Sequence, residues 1–250
     1  MWGIVPAAGA GSRIQPLAFS KELLPVGSRL EGEAERPRAV SEYLVERLIL
    51  GGANRICFVI APGKSDILEY YGNRPSSAHI SFTVQQKPAG LCDAVFQALP
   101  LIPPEEFVVV GLPDTIWFPQ DALRMLGEEP LSFLLFPVNR PDRFDAVITD
   151  RDGRVQEVRV KQHQPGSPWI WGAFKLSGRT MQDLFDLWNR RGRSDEYIGT
   201  LVNAYLAEGG SAVGVRAGEA YVDVGTLHGY REAIRLLSSR PVEGTVGVLA

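Results

Sequence analysis

Apolar runs alternate with amphipathic stretches along the first half of the chain. Residues 2–5 are apolar from the outset and predict a strand. Val40, Leu44, Leu48 and Ile49 recur at helical spacing and predict a helix over 40–50. Ile56, Phe58, Val59 and Ile60 mark a buried strand over 55–61, followed by a short helix over 66–71 and a strand over 80–84. Leu91, Ala94, Val95 and Ala98 predict a helix over 91–99. Residues 107–110 and 131–136 are near-continuous apolar strands. This strand–helix alternation predicts an α/β fold with a mostly parallel sheet and helices on both faces.

Beyond residue 137 the pattern loosens. Strands over 146–149 and 154–160 flank Asp150-Arg151-Asp152-Gly153, a strong hairpin turn. A strand over 169–176, helices over 180–189 and 197–207, strands over 212–215 and 220–222, and a helix over 228–237 complete the chain. Residues 27–37 are polar, charged and turn-rich and read as a mobile loop. Residues 241–250 read as a loose tail.

Composition narrows the function. The chain has 250 residues, 45% of them apolar, enough for one large α/β domain or two small ones. No apolar run approaches the ~20 residues of a membrane helix. Residues 1–5 lack the pattern of a secretory leader, so a cytoplasmic protein is expected. A net charge of −3 without a basic run argues against nucleic acid or an acidic membrane as partner. A polyanionic ligand would have to be held by a few placed cations and by backbone N–H groups. Cys57 and Cys92 fit no redox or zinc spacing and read as reduced thiols. His79, His163 and His228 show no metal-ligand spacing, and no G-x-S-x-G marks a covalent nucleophile.

The first strand runs into Ala7-Ala8-Gly9-Ala10-Gly11-Ser12-Arg13. Small residues let a backbone approach a ligand, glycine permits positive φ, and successive N–H groups can cradle phosphate oxygens. Arg13 and Lys21 add positive charge. On the glycines alone, a plain strand-to-helix connection explains the loop equally well. It is not a Walker A sequence, and it lacks the full dinucleotide fingerprint, which weakens an NAD-linked dehydrogenase reading.

Gly9-Ala10-Gly11-Ser12-Arg13-Ile14-Gln15-Pro16-Leu17, followed by Ser20-Lys21-Glu22-Leu23-Leu24-Pro25-Val26, resembles the signature of the sugar-nucleotide pyrophosphorylases. The Ser-Lys-x-Leu-Leu-Pro form looks most like bacterial glucose-1-phosphate thymidylyltransferases. The resemblance implies a Rossmann-like sheet of the nucleotide-diphospho-sugar transferase type with a smaller, β-rich sugar-binding portion. It implies that Ala7, Ala8, Gly9, Ala10, Gly11, Ser12 and Arg13 hold a nucleoside triphosphate, and that Lys21 neutralises charge at the reacting phosphates. Gln85-Gln86-Lys87-Pro88-Ala89-Gly90-Leu91 resembles the family's base-contacting segment, which gives Gln85, Pro88 and Gly90 to the nucleotide. An amide offers both donor and acceptor to a pyrimidine edge.

Asp114, just beyond the strand over 107–110, and Asp223 in Tyr221-Val222-Asp223-Val224-Gly225-Thr226 resemble the family's metal carboxylates. They would meet at one Mg²⁺, a hard cation that keeps several waters. Taken singly, each acid also reads as a turn or loop residue.

Farther on, Val160-Lys161-Gln162 resembles a Glu-Lys-Pro segment. Lys161 would bind the sugar phosphate, but Val160 stands where relatives carry a glutamate that grips sugar hydroxyls. Glu157 and Gln162 are the polar neighbours that could compensate. In Trp169-Ile170-Trp171-Gly172-Ala173-Phe174, Gly172 would give the sugar room, and the tryptophans are either a carbohydrate platform or core.

The implied reaction joins a nucleoside triphosphate, dTTP or UTP, to a sugar 1-phosphate with Mg²⁺ and releases pyrophosphate. Arg13, Lys21, Asp114 and Lys161 would be its catalytic residues. CTP, a non-glucose sugar phosphate or an aminoalkyl phosphate is the alternative substrate set, and a non-catalytic nucleotide-sugar-binding regulator is the alternative class. We expect a single domain over 1–240, with a nucleotide half (1–137) and a sugar-phosphate half (138–240). No fused acetyltransferase domain is expected. A homo-oligomer is compatible with the resemblance, although the tetramer of some relatives is not assumed.

Overall fold

The computed structural model describes residues 1–72 and 76–240. The expected tail at 241–250 lies outside the described residues. In chain order the elements are β1 (Trp2–Pro6), β2 (Pro25–Glu31), β3 (Ala34–Ala39), α1 (Val40–Leu50), β4 (Arg55–Ile60), α2 (Ser65–Gly72), β5 (His79–Val84), α3 (Gly90–Phe96), β6 (Phe107–Gly111), β7 (Thr115–Phe118) and β8 (Leu131–Pro137). Then follow β9 (Asp145–Thr149), β10 (Val155–Val160), β11 (Trp169–Ser177), α4 (Gly178–Arg190), α5 (Ile198–Ala207), β12 (Val213–Val215), β13 (Ala220–Asp223) and α6 (Leu227–Ser238).

The main sheet has the order β10-β9-β11-β6-β1-β4-β5, with β8 also paired to β11 and β12 to β8. Strands β6, β1, β4 and β5 are mutually parallel where they pair. Antiparallel β11 joins at β6, so the sheet runs without a break from the first half of the chain into the second. Alternate residues of β1 enter opposite layers: Ile4 packs with Phe96, Trp188 and Leu201 of α3, α4 and α5, whereas Val5 packs with Leu44 and Leu48 of α1 and Tyr71 of α2. A strand buried on both faces reads as a continuous apolar run, which is why these strands were legible.

Parallel strands share one carboxyl edge. The loops after β1, β4, β5 and β6 therefore emerge side by side, in the place where α/β sheets bind ligands.

Two expectations need correction. Residues 27–37 are not a loop: they belong to the β2–β3 hairpin, turned at Gly32 with φ +61°. Residues 30–37 are exposed, and the ion pairs to α1 come from Arg29 within the hairpin and from Arg38 just after the expected loop. Arg29 is buried and donates to both Glu42 carboxylate oxygens at 3.1 and 3.2 Å, and Arg38 pairs with Glu46 at 2.5 Å. Residues 115–118, which carried no strand expectation, form β7 and pair with β13. The hairpin about Asp150 is as expected: Asp150 Oδ1 accepts from the N–H groups of Asp152 and Arg154.

Candidate active site

Ala7 continues the line of β1 by donating its N–H to Val59 O at 2.8 Å. Beyond it, the N–H groups of Gly9, Ala10, Ser12 and Arg13 have no acceptor among the described residues. A row of free donors at a strand's carboxyl end suits phosphate oxygens. Gly11 has φ +67°, and a Cβ there would lie 2.8 Å from Lys21 Cδ. The glycine thus serves both the turn and the passage of the Lys21 side chain.

The back of this loop is fastened by residues that sequence reasoning missed. Lys64, between β4 and α2, donates from Nζ to Ala7 O at 2.7 Å and to both Glu22 carboxylate oxygens at 2.8 Å. Glu22 is fully buried. Burial pushes its carboxyl above the ordinary value, against the pull of Lys64 and Lys21. Ser20 donates its N–H and Oγ to Asp66 at 2.6 and 2.7 Å. A signal was available in the sequence, since Lys64 and Asp66 closely follow a parallel strand, on the ligand edge.

Asp114 and Asp223 come together through β7 and β13. Asp223 ends β13 in register with Thr115, the neighbour of Asp114. Val224 N donates to Asp114 O at 2.8 Å. Lys21 Nζ lies 2.6 Å from Asp114 Oδ2, and Arg13 Nη1 lies 3.1 Å from Asp223 Oδ2. A Cβ at Gly225 would lie 2.8 Å from Asp223 Oδ1, 2.9 Å from Asp114 Oδ2 and 3.2 Å from Arg13 Nη2. Both carboxylates and a guanidinium therefore border one small space, kept open because residue 225 has no side chain.

The charges respond to this crowding. Burial works against ionisation of Asp114, but Lys21 outweighs it and holds the carboxyl below the usual range. For Asp223, burial and the Asp114 charge together push the carboxyl up, against Arg13. Burial pulls the Lys21 ammonium down, and Asp114 more than reverses that.

The other expected site residues lie on the loop that opens α3 and beside α5. Gln85 is buried, and its Nε2 donates to Gly90 O at 3.2 Å and Asp93 Oδ2 at 2.7 Å. Its amide donors thus brace the loop that carries exposed Pro88. Gly90 has φ +86°, and a Cβ there would meet the Glu196 backbone at 2.7 Å. Leu91 N donates to Glu196 O at 2.8 Å. The next residue, Tyr197, carries Lys161 Nζ 4.2 Å over its ring. The base-side loop and the acceptor-side lysine are thus linked through residues 196 and 197.

Gly172 has a packing reason. A Cβ there would lie 2.5 Å from Phe136 and 2.7 Å from Tyr221, so those rings fill the room expected for a sugar. Trp171 is core, packed against Phe174. Among the described residues no group of three or more His, Cys, Asp or Glu could hold a metal. A cavity of about 900 Å³ opens beside Arg13 and Asp223, bordered by Arg143, Phe144 and Tyr221. No helix of the described residues is long and apolar enough to cross a membrane.

A free-donor loop, two facing acids and two cations at the carboxyl edge of a parallel sheet define a protein that handles phosphates in the manner of α/β nucleotide-binding folds. The family described as Nucleotidyl transferase matches residues 2–240, and the chain belongs to it. A glucose-1-phosphate thymidylyltransferase of Neisseria meningitidis serogroup A is 27% identical over 244 residues, covering 93% of this chain and 81% of that protein. A UTP–glucose-1-phosphate uridylyltransferase of Haloferax volcanii is 21% identical over 252 residues, covering 98% of this chain and 100% of that protein. In fold, the chain is similar to a Bacillus anthracis crystal structure in complex with a sucrose, with a TM-score of 0.81 and 22% identity over 98% of each chain.

Proposed function

We propose that this protein transfers a nucleotidyl group from a nucleoside triphosphate to a sugar 1-phosphate and releases pyrophosphate. The observation that carries the reading is the meeting of Arg13, Lys21, Asp114 and Asp223 about the open space at Gly225. A non-catalytic binder need not keep that set. The names of the relatives support the same chemistry, with dTTP or UTP as the triphosphate.

A sugar 1-phosphate oxygen attacks the α-phosphorus, and the bond to the β-phosphate oxygen breaks, its electron pair leaving with pyrophosphate. The attacking phosphate is already ionised near neutral pH, so no strong base is required. Alignment and charge neutralisation remain for the protein to supply. The N–H groups of residues 9–13 take phosphate oxygens. Arg13 stabilises the departing pyrophosphate, while Lys21 and Lys161 hold two mutually repelling anions together. Gln85, Pro88 and Gly90 form the wall against the base.

The carboxylate pair fits Mg²⁺. Its donors are hard oxygens, they repel one another, and the space that a Cβ would fill at Gly225 lies between them. Asp114 and Asp223 would hold the ion, which when bound neutralises charge on the triphosphate.

The test is pyrophosphate release by purified protein with dTTP, UTP or CTP and a panel of sugar and aminoalkyl phosphates, with and without Mg²⁺. Mg²⁺-dependent release with a sugar 1-phosphate is expected. Nucleotide binding with no release across the panel would overturn the reading in favour of a regulator.

A further inference from the structure

Asp93, in the first turn of α3, is a carboxylate that neither the resemblance nor the proposed reaction uses. It decides which way the Gln85 amide points. Gln85 lies just past β5, at the carboxyl edge of the parallel sheet, and its backbone N–H donates to Ile60 O at 2.9 Å. Its Nε2 donates to Asp93 Oδ2 at 2.7 Å and to Gly90 O at 3.2 Å. Both partners are acceptors only. The reverse orientation would set the amide oxygen against a carboxylate and a carbonyl, so the nitrogen must face them. Asp93 is steadied in turn by Gln97, one helical turn on, whose Nε2 donates to Asp93 Oδ1 at 3.3 Å.

The amide oxygen is left over. Gln85 Oε1 accepts from no group among the described residues, and it is not one of the side-chain atoms sealed from solvent without a partner. It is therefore open to solvent. Close by, the N–H of Gly90 opens α3 and donates to nothing among the described residues. Gly90 is exposed, and the Glu196 backbone packs against it so closely that a Cβ would lie 2.7 Å away.

Both groups stand on the side of the triphosphate loop. Helix α3 follows a parallel strand, so it starts at the carboxyl edge. It lies across β1, where Val95 and Phe96 share a core with Ile4. Its first turn is therefore at the same edge as residues 7–13, which leave β1.

Pyrimidines answer an oriented acceptor and donor differently. Uracil and thymine set the N3–H, a donor, beside the C4 carbonyl, an acceptor. Cytosine sets an unprotonated N3 beside an exocyclic amine, the opposite pattern. A glutamine free to turn could serve either base, because an amide carries both a donor and an acceptor. A glutamine that cannot turn serves one. With the triphosphate held at residues 9–13, the base cannot turn over to compensate.

We propose that Asp93 is a positioning residue for base selection: by holding the Gln85 amide nitrogen it presents Oε1 to the N3–H of uracil or thymine, while the Gly90 N–H meets the C4 carbonyl, and cytosine is refused. This assignment rests on the nucleotidyl-transfer reading above. It narrows the triphosphate among the pyrimidines to dTTP or UTP.

The test uses the full chain with Mg²⁺ and α-D-glucose 1-phosphate, or the most active sugar 1-phosphate of the panel above. It compares kcat/KM for the better of dTTP and UTP, for the N3-methylated form of that triphosphate, and for CTP. Wild type should favour the first over CTP by about a hundredfold or more. N3-methylation should raise KM at least about tenfold, equal to ~1.4 kcal/mol. Asp93→Asn is nearly isosteric and offers Gln85 a donor as well as an acceptor, which frees the amide to turn. It should narrow the preference over CTP at least about tenfold, with the acceptor KM and the melting temperature little changed. Asp93→Ala, which offers the amide nothing, should act in the same direction. A merely structural role would lower kcat/KM for all the triphosphates alike and leave their ratios fixed. Fixed ratios in the two variants, CTP used by wild type as readily as dTTP or UTP, or indifference to N3-methylation overturns the assignment while leaving the proposed function intact. Absence of pyrophosphate release by wild type with any triphosphate and sugar 1-phosphate overturns both.

Discussion

Lys21 Nζ lies 2.6 Å from Asp114 Oδ2, although 93 positions separate the two residues in sequence. The lysine leaves the loop after β1 and the acid sits beyond β6, and these strands are parallel neighbours. Both side chains are mostly shielded from water, with 15% and 11% exposure. Such a pair is strongly felt when one partner is removed, because the other is left as an uncompensated charge.

Lys21→Ala and Asp114→Asn should each lower turnover by about a hundredfold or more if the proposed roles hold. The check is pyrophosphate release by purified variants whose melts show them folded. Near-wild-type turnover would refute the roles.

Gly225→Ala separates site from fold. The added methyl meets carboxylate and guanidinium tips, not backbone, and residue 225 is outside the positive-φ set. The tips can swing away, so stability should change little while the space between the acids is lost. We expect turnover to fall about tenfold or more, with a shift in the Mg²⁺ concentration giving half-maximal rate. A titration of rate against Mg²⁺ checks it.

The two acids should respond oppositely to pH. Asp223 has a folded-state carboxyl above its ordinary value. The stability from such a group is present below the unfolded carboxylate range and is lost as pH rises through the raised value. Asp114 is held below its ordinary value, so its contribution is present above that range and is lost as pH falls. In divalent-free buffer at neutral pH, Asp223→Asn should therefore melt above wild type and Asp114→Asn below it. Both differences should narrow as the pH drops below about 4. Melting curves across that span test the signs.

Lys64→Ala should be the most destabilising of these changes. It strands Glu22, which has no exposure, and frees the carbonyl of Ala7. A loss of about 3–5 kcal/mol is expected. The double change Lys64→Met with Glu22→Gln should restore much of it, because no buried charge remains. Urea denaturation measures both. A Lys64→Ala variant as stable as wild type would mean that the ion pair does not hold the loop.

The strands of the parallel sheet and the helices about it were legible because burial on one or two faces imposes a period on the chain itself. The acids, the cations and the glycine-lined turn were legible as residues of the right chemistry in a recognisable order. The β2–β3 hairpin was not, because its polar residues look like a solvated loop until Glu42 and Glu46 of α1 are seen beside Arg29 and Arg38. Nor was the role of Gly172, whose neighbours Phe136 and Tyr221 come from distant strands.

By itself, then, the sequence determined the alternation of elements and the inventory of chemically able side chains, since both are local. Only the tertiary structure decided that Asp114 and Asp223 share one space and that Lys64 fastens Glu22. Each of those depends on strand pairing between remote segments. A strand's own residues state that it will be buried, but not which neighbour, in which register, will bury it.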